Sequence, residues 1–534
     1  MEKRLILAIA LSIFIIVGFQ YFFVKPSPQL STPQQEQQKV ATSKESSSYD
    51  KAPASFADAA AIIPVDEKTT KIETDHFSII FSNIGGSIKE IRLKDFKERK
   101  SADPMVLSAM EAANEYLFAI SSLVDPVRLD SAEYGVDERG EEIKYSTKTN
   151  NFEVVKTYKI EKNKNIIELK LNVRNISNSA KKVEYRIVGG AGVDEKSNDD
   201  KRFVDVTGKI NEKKIGYKNT KDEKIINMGD VSWTALKNKF FVLVLKPFTR
   251  TNSQFYYKNR KNELVMGVEA EGKVLQPGEA LEHKYVMYAG PYQYDLLKKQ
   301  GYGLEESVDY GFFGGISKFL IAVLGFFYKL FHSWGVAIIL LSIFLNILLF
   351  PLSMKSFKSM QKMQELHPHM EKLKVQYKND PSKLNKEVME LYKKYKINPF
   401  GGCLPMLLQM PIFIALYQAL MRSVELRGDK FLWINDLSAP DAVGLPITLP
   451  IIGNSINILP LIMIAAMVVQ QKISTKTMGS AVTDEQKQQQ KMMLVIMPIM
   501  FGFIFYNMPS GLVLYWVINT SLTIVEQAYA FKKD

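Results

Sequence analysis

The chain has 534 residues, 46% of them hydrophobic, with 69 lysines and arginines against 57 acids, a formal net charge of +12 and a single cysteine. That length leaves room for more than one domain, and one cysteine, Cys403, excludes any intramolecular disulfide. The five histidines (His76, His283, His332, His367 and His369) show no catalytic-zinc or cysteine-rich zinc spacing, so neither a metal nor another cofactor is expected.

Residues 1–24 place LILAIALSIFIIVGFQYFFV directly after Lys3 and Arg4. The run is long enough to cross a bilayer, longer than the ~7–15 apolar residues of a secretory leader, and no A-x-A-like site follows it. The expectation is an uncleaved signal anchor with its amino terminus in the cytoplasm, a cleaved leader being the alternative. Residues 25–65 are rich in Ser, Gln, Lys, Pro and Ala and read as a flexible linker. Residues 66–310 change to short alternating or β-branched runs between turn residues, such as HFSIIFSNIGGSIKEIRL, FEVVKTYKIEKN, NIIELKLNVRN, KKVEYRIVGG and HKYVMYAG. These predict an all-β sandwich on the extracytoplasmic side.

Residues 311–333 include FFGGISKFLIAVLGFFYKLF, in which Lys318 and Lys329 interrupt an aromatic-rich run. It lies too close to the next apolar run for both to cross with a loop between, so it is read as an amphipathic helix in the outer interface. A second span is predicted at 334–353. Four more fall within 399–534, at roughly 400–421, 448–470, 491–507 and 511–530. Segment 354–398 carries eleven lysines, 423–447 two basic residues, 471–490 three, and the connection at 507–511 none. The positive-inside rule then places 354–398, 471–490 and the carboxy terminus in the cytoplasm. Six spans with both termini cytoplasmic result, with Trp334, Trp433 and Trp516 at the outer interface.

Segment 354–398 reads as a basic helical hairpin broken at KNDPSK, where Asp380 suits an N-cap and Pro381 the first helical position. Eleven lysines against five acids leave it at +6. Lys355, Lys358, Lys362, Lys372 and Lys374 are its candidate contacts, with anionic lipid headgroups among the partners, although positive charge here is also the ordinary positive-inside signal. Its methionines (354, 360, 363, 370 and 389) suit either a surface for varied apolar partners or plain helix packing.

Within the second span, Asn346 interrupts twelve Ile, Leu and Phe residues between 338 and 352. Those twelve favour insertion by roughly 4–7 kcal/mol, whereas an unpaired amide in hydrocarbon costs about 2–7 kcal/mol, so Asn346 needs a partner. Ser342 lies one turn earlier on the same face. Gln409 in the third span, and Tyr515, Asn519 and Glu526 at i, i+4, i+11 in the last, are further polar groups near membrane depth. Two readings stand side by side: bonds between helices, or a hydrated groove for the polar part of a substrate. Glu526, near the span's cytoplasmic end, reads as snorkelling towards Lys532 and Lys533.

The run NPFGGCLPMLLQMPIFIALYQALMRSVELR (398–427), with FLWINDLSAPD (431–441) and MPSGLVLYWVINTSLTIVEQ (508–527), resembles the YidC/Oxa/Alb membrane protein insertases. The order of signal anchor, large outer domain and five-span core with a cytoplasmic hairpin resembles the Gram-negative bacterial YidC form. QPGEALEHKYVMYAGPYQYDLL (276–297) is similar to the end of that form's periplasmic β-supersandwich. The resemblance implies an inner-membrane insertase and chaperone, not an enzyme. It would take hydrophobic segments of nascent proteins into a groove open to cytoplasm and lipid and release them into the bilayer, alone or with the Sec translocon. Ribosome or signal recognition components are implied partners of the hairpin. Groove positions map to Ser342, Asn346, Gln409, Tyr515, Trp516 and Asn519. Many relatives carry an arginine five residues before the proline that ends the second span; counting back from Pro351, that position is Asn346 here, so the groove's charge position is polar but neutral.

A polytopic solute transporter or channel is the rival reading, but neither paired intramembrane charges nor inverted repeats with broken helices occur in the sequence. An enzymatic reading would rest on the outer domain, whose resemblance extends to sugar-mutarotase folds. That chemistry needs closely set histidines and a carboxylate, and the domain offers only His76 and His283, far apart in sequence.

Overall fold

A computed structural model describes residues 67–98, 102–124, 128–139, 142–193, 203–218, 224–248, 252–260, 263–377, 380–395, 404–449, 453–477 and 484–532. The expected signal anchor, the linker and Cys403 lie outside the described residues. The chain divides into two compact units, one β and one mainly helical, with the division near residues 290–308.

The β unit holds a four-stranded sheet, β1 (Thr69–Glu73), β2 (Phe77–Ser82), β3 (Ser87–Lys97) and β4 (Pro104–Ala109), in sequential order. A thirteen-stranded sheet supplies the rest: β5 (Ile120–Ser122), β6 (Gly135–Arg139), β7 (Glu142–Lys148), β8 (Phe152–Ile160), β9 (Ile166–Asn175), β10 (Lys181–Ala191), β11 (Asp205–Ile210), β12 (Lys213–Lys218), β13 (Lys224–Lys237), β14 (Phe241–Pro247), β15 (Asn252–Arg260), β16 (Glu263–Leu275) and β17 (Ala280–Pro291). Its main path runs β5-β10-β16-β15-β13-β14-β17-β9-β8-β7-β6, with β11 and β12 branching from β13. The sandwich expected from alternation is therefore present. In β8, buried Phe152, Val154, Lys156, Tyr158 and Ile160 alternate with half-buried or exposed residues, the period-two signature of a strand with one face inward. By contrast β14 begins with five buried residues, as a central strand covered on both faces does.

Phe81, Tyr145 and Tyr158 pack ring against ring between the sheets, with centroids 5.0–6.0 Å apart. Among them lies fully buried Lys156, whose Nζ donates to the Gly85 carbonyl at 2.7 Å and the Phe118 carbonyl at 2.8 Å. Burial pushes this amine down to about 7 from 10.5, against the attraction of Asp130. The Gly85–Gly86 turn is what carries the acceptor there. Both residues have positive φ, and a Cβ on Gly86 would meet Tyr145 Cβ at 2.8 Å.

The helical unit comprises α1 (Gly314–Phe331), α2 (Trp334–Glu365), α3 (His367–Gln376), α4 (Pro381–Lys394), α5 (Leu404–Met421), α6 (Ile458–Thr477), α7 (Asp484–Phe505) and α8 (Ser510–Lys532). α1 and the Trp334–Lys362 portion of α2 are long and apolar enough to cross a membrane; Gln409–Met421, Ile458–Ser474 and Leu494–Phe505 are shorter apolar helices. α1 buries only a narrow stripe, Ser317, Leu320 and Leu324, and the Ser317 hydroxyl donates to the Ala415 carbonyl on α5 at 2.9 Å. Phe319, Phe326 and Leu330 stay exposed. His332, in the left-handed region at φ 52°, ends α1, and Tyr328 stacks on Trp334 with centroids 4.0 Å apart, so the chain turns back within two residues.

Three boundaries differ from the sequence expectation. α2 does not stop at 353 but runs on to Glu365, carrying Pro351 inside it, so the basic arm begins as the same helix as the span. The arm breaks again before His367, where Pro368 has no N–H to continue the ladder. The helix expected from 448 starts only at Ile458; Val443–Leu449 and Gly453–Ile456 instead form a two-stranded hairpin. Asp441 explains the late start, since its carboxylate accepts from the Leu459 N–H at 2.8 Å and caps the helix at that residue. Asp380 caps α4 as expected, accepting from the Lys383 N–H at 3.0 Å. Asp380→Ala should cost the α4 arm about 1 kcal/mol, read as faster amide hydrogen exchange in 382–386 alone.

Candidate functional site

The core of the helical unit gathers buried residues from α1, α2, α5, α6, α7 and α8, including Ile338, Leu341, Ala415, Leu416, Met463, Leu512 and Tyr515. Five of the six polar or aromatic positions singled out in the sequence meet there in two groups. Asn346 on α2 donates through Nδ2 to Asn519 Oδ1 on α8 at 2.9 Å, and to the Ser342 carbonyl one turn back at 2.9 Å. Gln409 on α5 donates through Nε2 to the Tyr515 hydroxyl on α8 at 2.7 Å. Tyr515 and Ser342 are completely buried, and the Ser342 hydroxyl is taken up by the Ile338 carbonyl at 2.8 Å. Serine bonded back to its own helix offers little to a passing substrate. Trp516, the sixth position, is half-buried in an aromatic cluster, with Phe413, Phe501 and Phe505 ring centroids 5.0–5.6 Å away.

Asn346 and Asn519 thus have each other. An interhelical hydrogen bond inside a membrane is worth only about 0.6 kcal/mol on average, so the pair adds little stability while leaving two amides at a helix junction. Tyr515→Phe is expected to cost about 1 kcal/mol through loss of the Gln409 bond, measured as a lowered thermal midpoint of the detergent-solubilised protein.

Beside this pair, α2 and α8 enclose a cleft of about 240 Å³ lined by Ile343, Asn346, Ile347 and Phe350 on one side and Leu522, Val525 and Glu526 on the other. Glu526 does not simply extend along its own helix towards the tail. Its carboxyl group lines the cleft, with Ser353 of α2 beside it. Sequence reading found the i, i+4, i+11 spacing of Tyr515, Asn519 and Glu526. The same spacing on α2, Ser342, Asn346 and Ser353, was the available signal for this second contact and was missed.

Of the hairpin lysines, Lys355, Lys358, Lys362 and Lys372 are exposed and Lys374 is half-buried. α3 and α4 pack on each other, with Met370 Sδ accepting from the Tyr392 hydroxyl at 3.6 Å, while Met389 stays exposed. In the β unit, His76 lies in the turn before β2 and His283 on β17. His76 Nδ1 meets Asp95 at 2.6 Å, and buried His283, held below its usual range by desolvation, meets the Tyr185 hydroxyl at 2.6 Å.

Two family models match most of the chain: the YidC periplasmic domain over residues 69–323, and the 60Kd inner membrane protein over residues 326–534. Membrane protein insertase YidC of Geotalea daltonii is 33% identical over 100% of this chain and 99% of its own length. The chain belongs to the YidC membrane protein insertase family. The YidC of Geobacter sp. strain M21 is 36% identical over 87% of this chain and 86% of its own length. Among solved structures, an active YidC insertase crystal structure with its first transmembrane domain resolved is 19% identical, with a TM-score of 0.37, covering 98% of this chain and 99% of that one. The β unit is thus the periplasmic domain of an inner-membrane YidC, and the family is not one of enzymes.

Proposed function

We propose that this protein receives hydrophobic segments of nascent proteins at the α2, α5 and α8 junction and releases them sideways into the inner membrane. The observation that carries the reading is the Asn346–Asn519 pair opening onto the α2/α8 cleft: polar groups from two helices held together beside an apolar slot. A substrate's short polar tail meets the amides, which replace part of its hydration, while its apolar segment meets the slot and lipid; the desolvation cost of crossing falls accordingly. Ser342, Gln409, Tyr515 and Trp516 act from behind as the wall that holds Asn346 and Asn519 in place.

Six spans with both termini in the cytoplasm fit the lysine distribution, the first span being residues 1–24. The exposed Lys355, Lys358, Lys362 and Lys372, with Lys374, form a basic arm for a ribosome, signal recognition components or anionic headgroups. The Sec translocon is the proposed partner for larger substrates. Purified protein in sealed liposomes, given a small single-span substrate made without translocon components, is expected to protect the translocated tail from added protease. Protection no greater than in empty liposomes would overturn autonomous insertion, and release of a trapped small solute instead would favour a channel.

A further inference from the structure

We propose that Glu526 makes the α2/α8 cleft selective for substrate tails that carry basic residues, so that charge preference is set on α8 while the amide on α2 stays neutral. This rests on the insertase reading above and names the substrate class of the same site.

The geometry is a ladder. Asn346 bonds Asn519, and seven residues further along each helix Ser353 of α2 faces Glu526 of α8. Equal steps in the same direction mean that α2 and α8 run parallel and in register. The rungs are separated by two helical turns, about 10 Å at 1.5 Å per residue. The cleft lies between them, and its other lining residues, Ile343, Ile347, Phe350, Leu522 and Val525, are apolar. Of the lining residues only Asn346 and Glu526 are polar, and the single ionisable one, Glu526, is acidic.

Among the described residues Glu526 forms no ion pair; the hydroxyl beside it is that of Ser353. A carboxylate beside one neutral hydroxyl in a largely apolar slot is an unsatisfied acceptor, and lysine, arginine or an amino terminus on an entering tail satisfies it directly. An acidic tail meets repulsion at the same place. Charge complementarity thus assigns the slot to a polypeptide tail with basic groups. At an effective dielectric of about 20, a charge passing about 10 Å from the carboxylate feels an interaction that corresponds to a preference on the order of tenfold relative to a neutral tail.

The test uses the full chain in phosphatidylcholine liposomes without a membrane potential, in mildly alkaline buffer, and three versions of one single-span substrate with basic, neutral or acidic short tails. The readout is the ratio of protease-protected basic to acidic tail. A ratio on the order of a hundred is expected for the wild type, about tenfold from attraction of the basic tail and about tenfold from repulsion of the acidic one, falling towards one in Glu526→Gln, inverting in Glu526→Lys and returning in Glu526→Asp. Raised salt should lower the wild-type ratio without any substitution, which keeps the test decisive if a variant fails to fold. A wild-type ratio near one with the neutral tail protected would overturn this proposal alone and leave the slot to a lipid chain. An unchanged ratio in Glu526→Gln would do the same. No protection of any tail would overturn the insertase reading and this proposal together.

Discussion

Asn346→Leu is expected to reduce insertion of a small single-span substrate about tenfold or more, while Asn346→Arg keeps it near wild type. Leucine leaves the Asn519 carbonyl oxygen without its donor inside the helix bundle, and a stranded buried polar group costs about 1–3 kcal/mol, which corresponds to roughly five- to 150-fold. Arginine restores both a donor for Asn519 and a polar head at the cleft. The comparison with Asn346→Leu/Asn519→Leu separates stability from function. Replacing both partners by apolar groups removes the unsatisfied amide, so the double variant should recover the thermal midpoint lost in the single variant yet remain defective in protease protection. Recovery of both would show that the pair is helix packing and that the polar junction is not where substrate passes.

The second large effect concerns the periplasmic domain. Lys156→Met is expected to destabilise the sandwich by about 2–5 kcal/mol, because the Gly85 and Phe118 carbonyls lose the donor they share, each at about 1–3 kcal/mol. The wild type should also show a pH dependence that the variant lacks. Lys156 has its ordinary value of 10.5 when unfolded and about 7 when folded. Between those values the unfolded chain holds the additional proton, so stability rises with pH through that window, by up to about 1.4 kcal/mol per unit, and is lowest below pH 7. Hydrogen exchange of the β8 amides, corrected for the pH dependence of intrinsic exchange, reads both effects. A flat profile in the wild type would mean that the carbonyl bonds hold the ammonium form against desolvation.

How legible the molecule is in its sequence varies with the range of the interaction. Strands such as Phe152–Ile160 and Ile166–Asn175 follow from alternation over a few residues, and the Asp380 cap from a residue and its neighbour three positions on. Residues 366–368 are legible in the same way, since proline at 368 announces the break. The 443–456 hairpin was masked by its apolar content, which hydropathy cannot tell from the start of a span. Lys156 was invisible: nothing adjacent in sequence says that this strand position faces two carbonyls from residues 85 and 118.

The candidate site divides in the same way. That Asn346, Gln409, Tyr515 and Asn519 must find partners follows from the cost of a bare amide or hydroxyl in hydrocarbon, a property of each residue and its apolar flanks. Family membership, the basic arm and the neutral residue at 346 are likewise carried by the chain as written. Which groups pair was decided only when α2, α5 and α8 packed, because hydrogen bonds act over about 3 Å and their partners lie 106 and 173 residues apart. The same packing turned Glu526 from a residue expected to reach for the tail lysines into the wall of a cleft. Helix periodicity placed it on a face; the parallel register of two helices determined what that face encloses.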